Sequence, residues 1–141
     1  MFFVISIIAN EYESIFTNNL KTLLKDVSKS DMIGIIYISI DDLSTAQNIS
    51  YDLEYSLGEL GYNTVSHDWQ EFLPYFEDNY GWKYQLNTMM NDDSVYDISN
   101  FIRIDIAIVG RIIERENNRR LNLRVLDIKT KKIIGSVTYD I

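Results

Sequence analysis

The segment MIGIIYISI, residues 32–40, is nearly unbroken in β-branched and aromatic side chains. A run of this kind cannot leave either face in water, so it reads as a central strand covered on both sides. The rest of the chain has to supply that cover. Upstream, Ile15, Phe16, Leu20, Leu23, Leu24 and Val27 recur at helical spacing, with Asn18, Lys21, Lys25 and Lys29 turned away. This predicts an amphipathic helix over residues 12–29. Downstream, Ser44 followed by Gln47 has the form of a capping box, and Ala46, Ile49, Leu53, Leu57 and Leu60 make one apolar stripe up to Gly61. A helix over residues 45–60 follows. Residues 62–68 then carry enough β character for a second strand, which a βαβ crossover places parallel to the first.

Beyond residue 68 the pattern weakens. Trp69, Phe72, Leu73 and Phe76 recur at i, i+3, i+4 and i+7 and predict a short helix with Pro74 near its start, while residues 78–92 read as mostly irregular or short helix. Val95, Ile98 and Phe101 share a face behind Asp93 or Ser94 as cap, which predicts a helix over residues 93–101. Residues 104–114, 119–128 and 132–141 are β-rich runs separated by ENNR and KTKK at hairpin spacing, the mark of a three-stranded antiparallel meander. The order helix, β-α-β, helix, β-β-β predicts an α/β (α+β) fold in three layers, with one mixed sheet and helices on its faces. No repeat or linker interrupts it, so residues 12–141 read as a single globular domain. Residues 1–11 precede it as an apolar segment.

That segment opens MFFVISIIA, too short for a spanning helix of about 20 residues. It has two readings: the tail of a longer secretory signal, or a short strand or helix start packed on the domain. No basic residue precedes it and no small-x-small cleavage pattern follows. With no Cys in the chain, thiol nucleophiles, Cys-ligated zinc and disulfides are excluded. A formal net charge of −8 argues against a nucleic-acid partner, because phosphate-backbone binding is driven by Lys and Arg. The charge is divided: residues 1–100 hold 16 acidic and 4 basic side chains, and residues 101–141 hold 5 acidic and 9 basic. Either the two parts attract each other within the domain, or the basic part docks an acidic partner.

Three groups of residues are candidates for function. Residues 69–84 contain seven aromatics; Trp69, Phe72 and Phe76 read as core, which leaves Tyr75, Tyr80, Trp82 and Tyr84 as a contact surface or as packing of a long excursion on its own domain. Arg111, Arg115, Arg119, Arg120 and Arg124 surround the first meander hairpin, as a solvated edge or as a patch for an acidic protein or lipid headgroup. Asp41 and Asp42 after the first strand, and His67 and Asp68 at the end of the second, would share the carboxyl edge of a parallel pair, where α/β sites sit. A small cytoplasmic enzyme or ligand-binding domain would use these four as base, acid or cation ligands; otherwise they are the loop residues usual at strand ends. His67 is the only His, and the six Gly are scattered, so no His-based metal cluster, phosphate loop or other cofactor motif is present.

The strings IGIIYISI (33–40), STAQNISYDLEYSLGELG (44–61), IDIAIVG (104–110) and LNLRVLDIKTKKII (121–134), in this order, resemble a set of bacterial envelope domains. These are the flagellar outer-membrane protein FlgO, the Lpo-type activators of penicillin-binding proteins, and the curli secretion protein CsgG. The resemblance implies a non-enzymatic accessory domain of the periplasm or outer membrane that works by protein–protein contact, with the 69–92 excursion or the Arg hairpin as surface. It implies a protein partner and membrane attachment only through an N-terminal signal or lipid anchor; the meander edge and the apolar N-terminus leave room for a homo-oligomer. The chain departs from the family where residues 65–68 run into Trp69 instead of Arg, where Arg103-Ile104-Asp105 stands for Gly-Ala-Asp, and where Thr130-Lys131 stands for Thr-Gly.

Overall fold

A computed structural model describes residues 16–65, Glu77 and residues 84–141. The apolar segment 1–11, the end of the expected second strand at 66–68 and the short helix expected from Trp69 lie outside the described residues. Eight elements are described. Helix α1 occupies residues 16–23 and gives way to turns before strand β1 (Met32–Ser39). Helix α2 (Leu43–Glu59) leads to a short β2 (Asn63–Thr64), helix α3 (Asp92–Ile102) follows, and β3 (Ile106–Arg115), β4 (Asn118–Asp127) and β5 (Lys132–Asp140) close the chain. They form one mixed sheet of order β2-β1-β3-β4-β5, with β1 parallel to both β2 and β3 and the last two pairings antiparallel.

β1 is the strand its composition demands: Ile33, Ile35, Ile36, Tyr37 and Ile38 are all buried. The register aligns Ile38, Gly110, Leu123 and Val137 across the sheet. A Cβ on Gly110 would stand 2.8 Å from Ile38 Cδ1 and 3.2 Å from Leu123 Cδ2, so glycine lets these side chains close over the strand. Phe16 meets Tyr139 edge-on at 5.8 Å, on this same face, because Tyr139 pairs with Leu121. Tyr62, just after α2, donates its hydroxyl to Leu24 O below α1, so α1 and α2 cover one face together. α3 covers the other: Arg124, one residue from Leu123 and therefore facing away from it, reaches Asp92 Oδ1 at 3.0 Å. The result is three layers.

The helix ends differ from expectation at three points: α1 stops at residue 23 and not 29, α2 is capped ahead of Ser44, and α3 is capped by Asn91 and not by Asp93 or Ser94. α2 is capped by Asp42, ahead of Ser44: the carboxylate accepts from Ser44 N at 3.1 Å on one oxygen and from Thr45 Oγ1 at 2.6 Å on the other. α3 starts from Asn91, whose side chain accepts from Ser94 N at 2.8 Å, which frees Asp92 and Asp93 to sit in the first turn against the positive end of the helix dipole. The C-terminus of α2 is as expected. Gly61 takes φ +85, and the bonds Gly61 N to Gly58 O and Tyr62 N to Leu57 O make a Schellman closure.

α3 ends instead on Arg103, a non-glycine residue at φ 61 and ψ 47. The backbone closes as it does after α2, with Arg103 N on Asn100 O and Ile104 N on Ser99 O, but a residue with a β-carbon is disfavoured in the left-handed region and this side chain is exposed. Arg103→Gly is expected to raise stability by about 0.5–1 kcal/mol, the left-handed penalty removed less the entropy glycine loses, seen as a higher urea midpoint at unchanged slope. On α2, burial pushes the Glu54 carboxyl up to about 7 from 4.5. Folding therefore favours its protonated form; that contribution is complete below pH about 4.5 and is lost as pH rises through about 7. Glu54→Gln should flatten the fall in melting temperature across this window and leave the variant the more stable of the two above it.

Candidate functional site

The sheet reverses its direction of growth at β1. The chain leaves β1 towards β2 on one side and later returns to place β3 on the other, so the crevice outside the carboxyl ends of β1 and β3 is a topological switch point. A cleft of about 750 Å³ lies there, lined by Ser39, Ile40, Asp41 and Asp42 after β1, by Asn87, Thr88 and Met89, and by Arg111, Ile112, Glu114 and Arg119 of the hairpin.

Local chemistry builds each wall. Ile38 N donates to Leu86 O at 2.8 Å and Ile40 N to Asn87 O at 3.1 Å, so residues 86–87 run along the edge of β1 beyond the short β2. Asn87 Nδ2 donates back to Ile40 O at 3.1 Å and fixes the exit of β1. Below this, β1 carries a bulge between Ile35 and Tyr37, and the carbonyl of Ile36 accepts from the Tyr84 hydroxyl. Tyr84 is therefore a core residue, 6% exposed, with its phenol pushed above its ordinary pKa by burial; it does not belong to a contact surface. The aromatic count placed it with its neighbours because the bulge that needs its hydroxyl is a tertiary feature.

Arg111 and Arg119 line the cleft, Arg115 stands at the end of β3, and Arg120 lies across the sheet from Arg119, since adjacent strand residues face opposite sides. Arg119 pairs with Glu114 at 2.8 Å, Arg120 with Asp140 at 3.2 Å, and Arg124 with Asp92 at 3.0 Å. Tyr75, Tyr80 and Trp82 lie outside the described residues. Of the four residues of the catalytic alternative, Asp41 and Asp42 line the cleft, and His67 and Asp68 lie outside the described residues. Asp42 is engaged as a cap: the Thr45 hydroxyl and then the Ser44 amide hold its carboxyl below the usual range. Among the described residues no group of His, Asp or Glu is arranged to hold a metal ion.

Asn87, Thr88, Met89 and Glu114 were not singled out from the sequence. The turn closed by Thr88 N on Gln85 O at 3.1 Å has a local signature in Asn87-Thr88, but only the bonds to β1 make it a wall.

No family model matches the chain, and no curated protein does. Its architecture is nevertheless one shared by solved bacterial domains. The structure is similar to the LpoB C-terminal domain from Salmonella enterica, with a TM-score of 0.71 and 11% identity over 89% of this chain and 94% of that one. It is similar also to the LpoB C-terminal domain from Escherichia coli, with a TM-score of 0.68 and 13% identity over 89% and 94% of the two chains. A lipoprotein from Neisseria meningitidis matches at a TM-score of 0.51 and 14% identity over 79% of each chain. The likeness is one of fold, and it bears on the Lpo-type part of the sequence resemblance, not on FlgO or CsgG.

The cap of α2 forms one wall of the cleft, which makes it a testable hinge between fold and site. Asp42→Ala should lower the melting temperature at neutral pH, and Asp42→Asn, which keeps an acceptor, should lower it less. The gap between wild type and Asp42→Ala should close as pH falls through the depressed pKa of Asp42, because the contribution of a group of this kind is present above its unfolded value and lost on protonation.

Proposed function

We propose that this chain is a non-enzymatic accessory domain of the cell envelope that acts through protein–protein contact, in the manner of the Lpo-type activators of penicillin-binding proteins. The observation that carries the reading is the likeness of fold to the LpoB C-terminal domain over 89% of this chain and 94% of that domain. The ordered strings of the sequence point the same way. The chemistry of the cleft supports contact over catalysis, since Asp42 is held by its helix and Glu114 by Arg119. Its contact surfaces are the Arg hairpin, with Arg111, Arg115, Arg119 and Arg120, and the excursion carrying Tyr75, Tyr80 and Trp82. The partner is a peptidoglycan synthase.

The test takes the purified chain against each penicillin-binding protein of its own organism by surface plasmon resonance, followed by glycan-strand synthesis and cross-linking assays. Saturable binding to one of them, with a faster synthetic rate on addition of the chain, is the expected result. Absence of binding to all of them, or fractionation of the native protein to the cytoplasm, overturns the reading.

A further inference from the structure

β3 is longer than the strand beside it. Ser39 opposite Arg111 is the last pair between β1 and β3, yet β3 continues through residues 112–115 paired with β4 alone. β1 cannot follow, because the chain turns away at Asp41 and Asp42 caps the next helix. The β1-facing edge of this extension, where Ile112 and Glu114 line the cleft, therefore has no strand beside it and no hydrogen bond from a described residue beyond the last pair. An open strand edge in a cleft is a template for an added strand.

The charges at this edge are distinctive. Arg119, Arg120 and Arg124 each carry a carboxylate partner, whereas Arg111 and Arg115, both exposed, carry none among the described residues. Arg111, Ile113 and Arg115 lie on one face of β3 by alternation. Side chains of a strand added beside them would meet an Arg, an apolar residue and an Arg in turn. Opposite charges at cross-strand positions stabilise pairing and like charges oppose it.

Resting on the reading of this chain as a protein-contact domain, we propose that the cleft edge of β3 receives an extended acidic segment of the partner by strand addition. The segment has the pattern acidic-x-apolar-x-acidic, its two carboxylates paired with Arg111 and Arg115 and its backbone bonded to residues 112–115. The pattern reads the same in both directions, so it suits a parallel or an antiparallel strand. The volume of about 750 Å³ is in the range that accommodates such a short segment.

The probe is an end-capped peptide, Asp-Val-Val-Thr-Glu, titrated into the isotope-labelled full chain up to millimolar concentration. Amide shifts and slowed hydrogen exchange should centre on residues 112–115. The double variant Arg111→Glu with Arg115→Glu should weaken binding about tenfold or more, and should bind Lys-Val-Val-Thr-Lys in place of the acidic peptide. A backbone N-methylated acidic peptide should not bind, because strand addition needs its amides. Equal binding of the methylated peptide, shifts centred on β5, no shift at all, or a double variant that binds as wild type overturns the proposal. A penicillin-binding protein that binds wild type and double variant equally also overturns it and leaves the proposed function standing. Peptide binding with this pattern, in a chain that engages no penicillin-binding protein, supports the edge and overturns the function.

Discussion

The structure depends on the burial of β1. Its interior residues are closed off on both faces and on both edges, and each closure is made by a different part of the chain. α1 and α2 lie over one face and α3 over the other. β3 takes one edge along its length, while the opposite edge is divided between the two residues of β2 and the backbone of residues 86–87. A buried backbone amide or carbonyl without a partner costs about as much as a lost hydrogen bond, so the strand cannot exist until all of these are in place. The start is locked as tightly: Met32 N donates to the Asp105 carboxylate at 2.9 Å and Asp105 N donates to Met32 O at 2.9 Å. That clamp gives Asp105 a structural role at the entry to the sheet.

The reversal of sheet growth at β1 has a second consequence. Because neighbouring connections run to opposite sides, no described helix or strand fills the space beyond the carboxyl ends of β1 and β3, and because β3 is drawn outward by its hairpin with β4, it overhangs that space. A cleft with a strand edge for a wall results from strand lengths alone. The polar character of the lining then follows from position, since these are strand ends, caps and a hairpin base, where charged residues are affordable.

The division of charge along the chain resolves differently from either simple reading. The Arg124–Asp92 pair joins the basic part to the acidic part, but Arg119–Glu114, Arg120–Asp140 and Lys129–Asp105 all fall inside the basic part. Part of the positive charge of the meander is therefore balanced by its own carboxylates. Of the basic residues outside these pairs, Arg111 and Arg115 share one face of β3, while Arg103 ends α3 and Lys131 and Lys132 stand at the start of β5. Such exposed pairs contribute little to stability, so their arrangement matters more for what the surface presents than for holding the sheet together.

Local chemistry determined a large share of this protein. The unbroken run at 32–40 required a covered central strand, the 3.6-residue stripe required α2, Gly61 closed it, and alternation in residues 119–141 required the meander. These hold because periodicity and turn chemistry act over a few residues and survive in any fold. Which residue caps a helix was less legible, since Asp42 and Ser44 both suit the role and the choice depends on where β1 releases the chain. Tertiary structure alone decided the bulge that buries Tyr84, the seam of residues 86–87 along β1, and the assembly of Asp41, Asn87 and Arg111 around one cleft. Those depend on which strand becomes whose neighbour and where each one stops, and strand order and relative length arise from packing the whole sheet, not from any stretch of sequence within it.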